Sequence, residues 1–260
     1  MSLAWDNGVR QFDYWAKVYQ RTWKGSLISS FLVPLLYLAA MGVGLGTFVD
    51  GSGTNALGGV SYLQFLAPGL LAATGLQIAV SEATYPVMGG IKWHKTYFSM
   101  IATPLRSADV MYGQLGFIAF RVVSSCAVFL GVIALFGGLG SPLGLLGLPI
   151  ALLVGMAVAA PVCAAATRLE TDAGFAMIFR FGVLPMSLFS GAFFPVSQLP
   201  DAVEWLAYVA PLWHGVELTR DLSLGTFSLL PAIINVAYLL LWFAVGTRLA
   251  VTGLEKRLIS

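Results

Sequence analysis

Charge is the scarcest commodity in this chain. Of its 260 residues only 10% are Asp, Glu, Lys or Arg, against 58% apolar. A soluble domain carries roughly 25% charged residues, so this composition excludes an ordinary water-exposed globule. Cysteine is equally scarce: Cys126 and Cys163 are the only two, each inside an apolar run. That argues against a disulfide framework or a cysteine-rich metal site. The two histidines, His94 and His214, are too far apart for zinc-ligand spacing, so no metal is expected. The phosphate-binding pattern GxxxxGK[ST] is absent, and the nearest lookalike, around Lys95 and Thr96, lacks the glycines. The chain is not expected to hydrolyse ATP by that route. Its opening, MSLAWDNGVR, has no apolar core followed by a small-residue cleavage site, so no cleaved signal peptide is expected. A net charge of +2 gives no reason to expect a nucleic-acid partner.

What is present is a series of long apolar stretches, at 27–48, 62–83, 110–136, 143–167, 174–194 and 229–250. Each is long enough as a helix to cross a hydrocarbon core of about 30 Å. The expectation is one all-α integral membrane domain, 1–260, with six transmembrane helices. Ahead of them, at 5–24, Phe12, Trp15, Tyr19 and Trp23 alternate with Arg10, Lys17, Arg21 and Lys24 at helical spacing. An aromatic stripe opposite a cationic one predicts an amphipathic helix lying in the membrane interface, or packed on a partner chain. Arg10, Lys17, Arg21, Lys24, Lys92, Lys95, Arg106, Arg168, Lys256 and Arg257 all fall in segments on one side of such a six-span arrangement. Arg220 falls clearly on the other. Basic loops stay in the cytoplasm, so both termini are expected there.

Of the charged residues in the spans, Arg180 lies within two turns of an inner end and can snorkel, and two others are singled out. Glu82 is expected at the cytoplasmic end of the second span, within reach of water or a basic neighbour. Arg121 lies well inside the third, where a charge costs about 2.5–3.5 kcal/mol on insertion scales and faces a bundle interior or a watery cavity, unless it snorkels to an interface.

Two connections carry more pattern than a loop requires. The cytoplasmic segment 86–109 combines Lys92, His94, Lys95 and Arg106 with an apolar set including Tyr97, Phe98, Ile101 and Leu105. Orientation by charge accounts for the cations but not for the apolar face. The second runs LPMSLFSGAFFPVSQLPDAVEWLAYVAPLWHGVELTR, where Pro195, Pro200 and Pro211 each punctuate a helix. It predicts a span ending near Phe194 and short helices at the outer surface over 195–222.

The order FFP, LP, an aromatic and apolar run, PLWH and ELTR closely resembles the last third of the type-2 ABC exporter permeases. The stretch KWHKTYFSMIATPLRSADVMYGQLG looks most like the lipo-oligosaccharide (nodulation-factor) exporters within that family. The resemblance implies a coupling helix that docks on a separate ATPase subunit, with Lys92, Trp93, His94, Lys95, Tyr97, Phe98, Ile101, Thr103, Pro104, Leu105 and Arg106 in the docking segment. It implies an outer gate built from Phe194, Pro195, Pro200, Glu204, Pro211, His214, Glu217 and Arg220. It further implies two ATPase copies carrying ATP and Mg, a second permease that is identical or related, surrounding lipids, and no cofactor on this chain. The place is a bacterial plasma membrane, and the cargo a lipo-oligosaccharide, glycolipid or hydrophobic drug moving outward. A gradient-driven carrier is the rival reading, but no internal repeat and no mid-membrane acid support it. An intramembrane serine protease is disfavoured, because Leu188 stands where the glycine before Ser190 belongs and both histidines lie outside the spans.

Overall fold

The computed structural model describes residues 60–259 and, ahead of them, Lys17, Leu32, 35–46 and Phe48. The expected interfacial helix at 5–24 and much of the first span at 27–48 therefore lie outside the described residues. Of that span a π-helical piece, α1 (Leu38–Leu45), is described. The rest is helical with no strand among the described residues: α2 (Tyr62–Ala83), α3 (Thr96–Ile101), α4 (Ser107–Leu135), α5 (Gly147–Arg168), α6 (Ala173–Phe189), α7 (Asp201–Val209), α8 (Pro211–Leu224) and α9 (Leu229–Ile259). Among the described residues four helical runs are long and apolar enough to cross a membrane: Tyr62–Trp93, Ser107–Leu135, Pro142–Arg168 and Leu229–Ile259.

Helix α5 is the centre of the bundle, packed against α2, α4, α8 and α9. Lipid tails are as apolar as leucine, so helices associate in a membrane through close packing of small residues rather than by escaping water. The α2–α5 crossing is made this way. A Cβ on Gly75 would lie 2.6 Å from the Ala151 carbonyl oxygen, and one on Gly155 would lie 2.8 Å from that of Gly75. Both obstacles are backbone, so neither can turn aside. Gly75→Leu is expected to force the helices apart and destabilise the protein by about 1–3 kcal/mol. Thermal melting of the detergent-solubilised protein checks this; an unchanged midpoint would show that the crossing is not needed.

Three boundaries differ from the sequence expectation. Helix α2 begins where expected, capped by Ser61, whose hydroxyl accepts from the Gln64 N–H at 3.3 Å. It does not end the span at Ala83. After a break at Thr84, Tyr85–Met88 and Gly89–Trp93 prolong the run, because Pro86 sits at a helix start, where its missing N–H has no partner to lose. The expected 86–109 connection is thus helical at its beginning. Helix α6 stops at Phe189, short of Phe194, at a turn where Gly191 takes φ +81°. Helix α9 runs on to Ile259, so Lys256 and Arg257 are its last turn rather than a separate tail.

The segment between α6 and α9 holds two helices, α7 and α8, joined at Ala210. Helix α7 is exposed, with Trp205 and Leu206 bare. Helix α8 is mostly buried, packed on α2, α5 and α9. Its Gly215 meets Val154 while its Thr219 lies beside Gly147, so its N-terminal end lies about 10 Å farther along α5 than its C-terminal half.

Candidate functional site

At the end of the bundle that carries most of the cations, the chain leaves α2 through Trp93, turns at Lys95 and enters α3. Lys95 adopts the left-handed conformation at φ 51°, which disfavours a non-glycine residue by roughly 1–2 kcal/mol. The turn splits the segment into an anchored and an open side. Tyr97 is fully buried and its hydroxyl donates to Gln114 Oε1 at 3.1 Å. Ile101 and Leu105 are half-buried. Trp93, His94, Lys95, Phe98, Thr103, Pro104 and Arg106 are exposed. Trp93 is 55% and Phe98 39% exposed, which leaves two large aromatics in the open beside cations. Arg106 and Asp109 close the start of α4: the Asp109 carboxylate accepts from the Arg106 backbone N–H at 3.0 Å.

Lys92 is held elsewhere, by Glu170 in the α5–α6 loop. Lys92 and Arg257 both donate to the Glu170 carboxylate, joining the end of α2, that loop and the end of α9. Hydrogen bonds from Arg257 and then Lys92 pull the Glu170 carboxyl down to about 2. In the unfolded chain it takes up its proton near 4.5. The contribution of this clamp is therefore complete above pH 4.5 and is lost as pH falls toward 2. Melting wild type and Glu170→Gln side by side should give curves that differ at neutral pH and converge through that window. The clamp is exposed, so the difference should also shrink at high salt.

A cleft of about 700 Å³ opens between α2, α4 and α6. Phe129, Phe179 and Phe193 line it with apolar surface, and Gln77 and Ser81 with polar groups. At its polar side Arg121 Nε donates to Glu82 Oε1 at 3.0 Å. Glu82 is the last residue but one of α2, and beyond the break at Thr84 the short pieces Tyr85–Met88 and Gly89–Trp93 carry the chain further. Arg121 stands midway along α4, and its side chain is only 11% exposed. The two expected intramembrane polar residues meet as one ion pair inside the bundle.

At the opposite end, the residues expected at the outer gate form two clusters. In the first, buried Arg220 on α8 donates from Nη2 to the Gly191 carbonyl at 2.6 Å. It lies 3.9 Å over the Phe65 ring and 3.6 Å from Glu217. Phe194 and Pro195 continue that turn, half-buried, and the Tyr62 hydroxyl donates to the Phe193 carbonyl at 3.4 Å. In the second, His214 Nδ1 lies 2.7 Å from Asn235 Oδ1. The His214 ring packs between Trp213 and Tyr238, with centroids at 4.9 and 4.0 Å. The Tyr238 hydroxyl reaches the Val209 carbonyl at the end of α7. Pro211 opens α8 and is buried; Pro200 precedes α7 and is exposed. Glu204 accepts from Tyr208 at 2.6 Å on α7 and joins neither cluster.

Sequence reasoning missed Glu170, Gly191, Phe65 and Asn235. Of these Asn235 had a signal, as a lone amide in the apolar run LLPAIINVAYLLLWF. Among the described residues no group of acids, histidines and cysteines could hold a metal.

A family model described as "ABC-2 type transporter" matches residues 14–224. The chain is also similar to proteins named "Nodulation protein J". That of Rhizobium leguminosarum bv. trifolii is 31% identical over 254 residues, covering 94% of either chain. That of Rhizobium leguminosarum bv. viciae is 30% identical, over 94% of this chain and 95% of its own length. That of Sinorhizobium fredii (strain NBRC 101917 / NGR234) is 30% identical, over 95% of this chain and 94% of its own.

Proposed function

Because this chain belongs to the ABC-2 type transporter family, we propose that it is the permease of an ATP-driven exporter moving an amphipathic cargo outward across the bacterial plasma membrane. It is a multi-pass membrane protein and a transport subunit, not itself an enzyme. The energy comes from a separate ABC ATPase, present in two copies with their ATP and Mg, and a second permease, identical or related, completes the passage. The basic end faces the cytoplasm, with both termini. The cargo is a lipo-oligosaccharide, a glycolipid or a hydrophobic drug.

One observation carries this reading. The helical run that lines the cleft with Gln77 and Glu82 continues to Trp93, at the exposed aromatic docking segment. Closure of an ATPase pair against Trp93 and Phe98 would reach the cleft through Gly89–Trp93, Tyr85–Met88 and, across the break at Thr84, α2. The cleft offers a lipid chain its apolar wall and a sugar or headgroup its polar side, which is amphipathic chemistry. Glu82 is the acid in the cleft that a gradient-driven carrier would claim, and here it is paired with Arg121.

The test is capture of the ATPase by the tagged full chain from its native membrane. Trp93→Ala with Phe98→Ala is expected to weaken capture at least tenfold, since exposed aromatics that become buried dominate interface energies. Recovery of the permease alone, under conditions that keep a known exporter intact, would overturn the reading. So would glycolipid flux into vesicles that proceeds without an ATPase.

A further inference from the structure

At the basic end α5 and α9 finish side by side. Between their last turns lies a hollow of about 420 Å³, lined by Thr167, Arg168, Thr252, Gly253, Lys256 and Arg257. That is within the range of small-molecule sites, about 300–1,000 Å³. Three of the six lining residues are cations and none is an acid. Cations in the last turn of a helix oppose its partial negative charge, and here the last-turn cations of two helices, Arg168, Lys256 and Arg257, line one hollow. The adjoining carboxylate, Glu170, binds Arg257 from the loop side together with Lys92. The two hydroxyls are committed to backbone carbonyls, Thr167 to Ala164 at 2.8 Å and Thr252 to Arg248 at 2.9 Å. Recognition in the hollow therefore rests on positive charge, and the ligand it suits is an oxyanion.

The helix surface above the hollow indicates where that oxyanion comes from. Val245, Leu249, Thr252 and Lys256 fall at spacings of four, three and four on α9, which places them on one face. Val245 and Leu249 are 50% and 40% exposed. A bare apolar stripe thus descends along the helix straight to the cations. We propose that the hollow binds the phosphate of an acidic phospholipid in the leaflet at the basic end. An acyl chain lies along Val245 and Leu249, and the phosphate oxygens face Arg168, Lys256 and Arg257. A free phosphate would use the same cations but not the stripe.

The purified full chain, washed free of bulk lipid, is incubated with phosphatidylglycerol or phosphatidylcholine, and the retained lipid is measured by mass spectrometry. Phosphatidylglycerol should be retained and phosphatidylcholine should not. Arg168→Gln with Lys256→Gln should lower retention about thirtyfold, roughly five- to sixfold for each cation removed. Lys95→Gln with Arg106→Gln makes the same change in net charge at exposed sites outside the hollow and should lower retention far less. Thr252→Leu fills the hollow without touching a charge, and should lower retention at least severalfold even if the double variant folds poorly. Millimolar inorganic phosphate should not displace the lipid.

Equal retention by the double variant and by Thr252→Leu would overturn the proposal, as would equal retention of phosphatidylcholine. Displacement by phosphate alone would identify a free-anion site instead. Loss of ATPase capture with unchanged lipid retention would identify a protein contact. The lipid measurement needs no ATPase, so its failure would leave the transport reading standing.

Discussion

Arg220→Ala should lower the stability of the folded protein by about 3–5 kcal/mol, the range for breaking one side of a buried charged contact. Three partners are lost at once: the Gly191 carbonyl, the Phe65 ring and Glu217. Arg220 Nε finds no partner among the described residues, so the site is already one hydrogen bond short. Arg220→Lys keeps the charge but not the fork that reaches the carbonyl while lying flat over a ring, and should fall between the two. Thermal melting gives the ranking. Hydrogen exchange gives the location: amides at 192–194 should open in Arg220→Ala, because the guanidinium ties this turn to α8 and to α2. Protection that stays as in wild type would show that the turn is held by other contacts.

The second large effect is expected at the Glu82–Arg121 pair. Glu82→Gln takes the carboxylate from a guanidinium inside the bundle, and Arg121→Gln does the converse. Each single change should destabilise by about 3 kcal/mol, and Glu82→Gln with Arg121→Gln by about as much as either alone, because the second change leaves no unpaired charge behind. A double-mutant cycle on melting free energies should then show a coupling of about 2–3 kcal/mol. Additive single effects would mean that the two side chains act apart. Transport is expected to behave differently from stability. On the proposed function the pair offers the cargo a polar surface in the cleft, so the double neutral variant should fold but export an amphipathic cargo poorly. Exchanging the two residues, Glu82→Arg with Arg121→Glu, should restore more export than neutralising both.

Several features are legible in the amino-acid order alone. A 10% charged content marks a membrane protein. Ser61 and the apolar run after it place the start of α2, and the proline-punctuated segment after Phe194 marks short helices. Basic and apolar residues alternating over 92–106 mark a segment with two faces. Each of these signals is local: a cap, a period of 3.6 residues, a proline, a run without charge.

The tertiary structure decides what lies across from what. Glu82 and Arg121 are 39 residues apart, and Arg220 and Gly191 29 apart. Their meetings depend on the rotation and depth of whole helices. Those are set by close packing such as that of Gly75 and Gly155 between α2 and α5, which periodicity in one helix does not encode. The same holds for α8. Its sequence suits a helix at the surface, and only the cover supplied by α2, α5 and α9 lets it sit within the bundle. A chain's own pattern says which face of a helix avoids water. In a membrane that face has lipid or another helix to choose from, and the choice between them is made by shape.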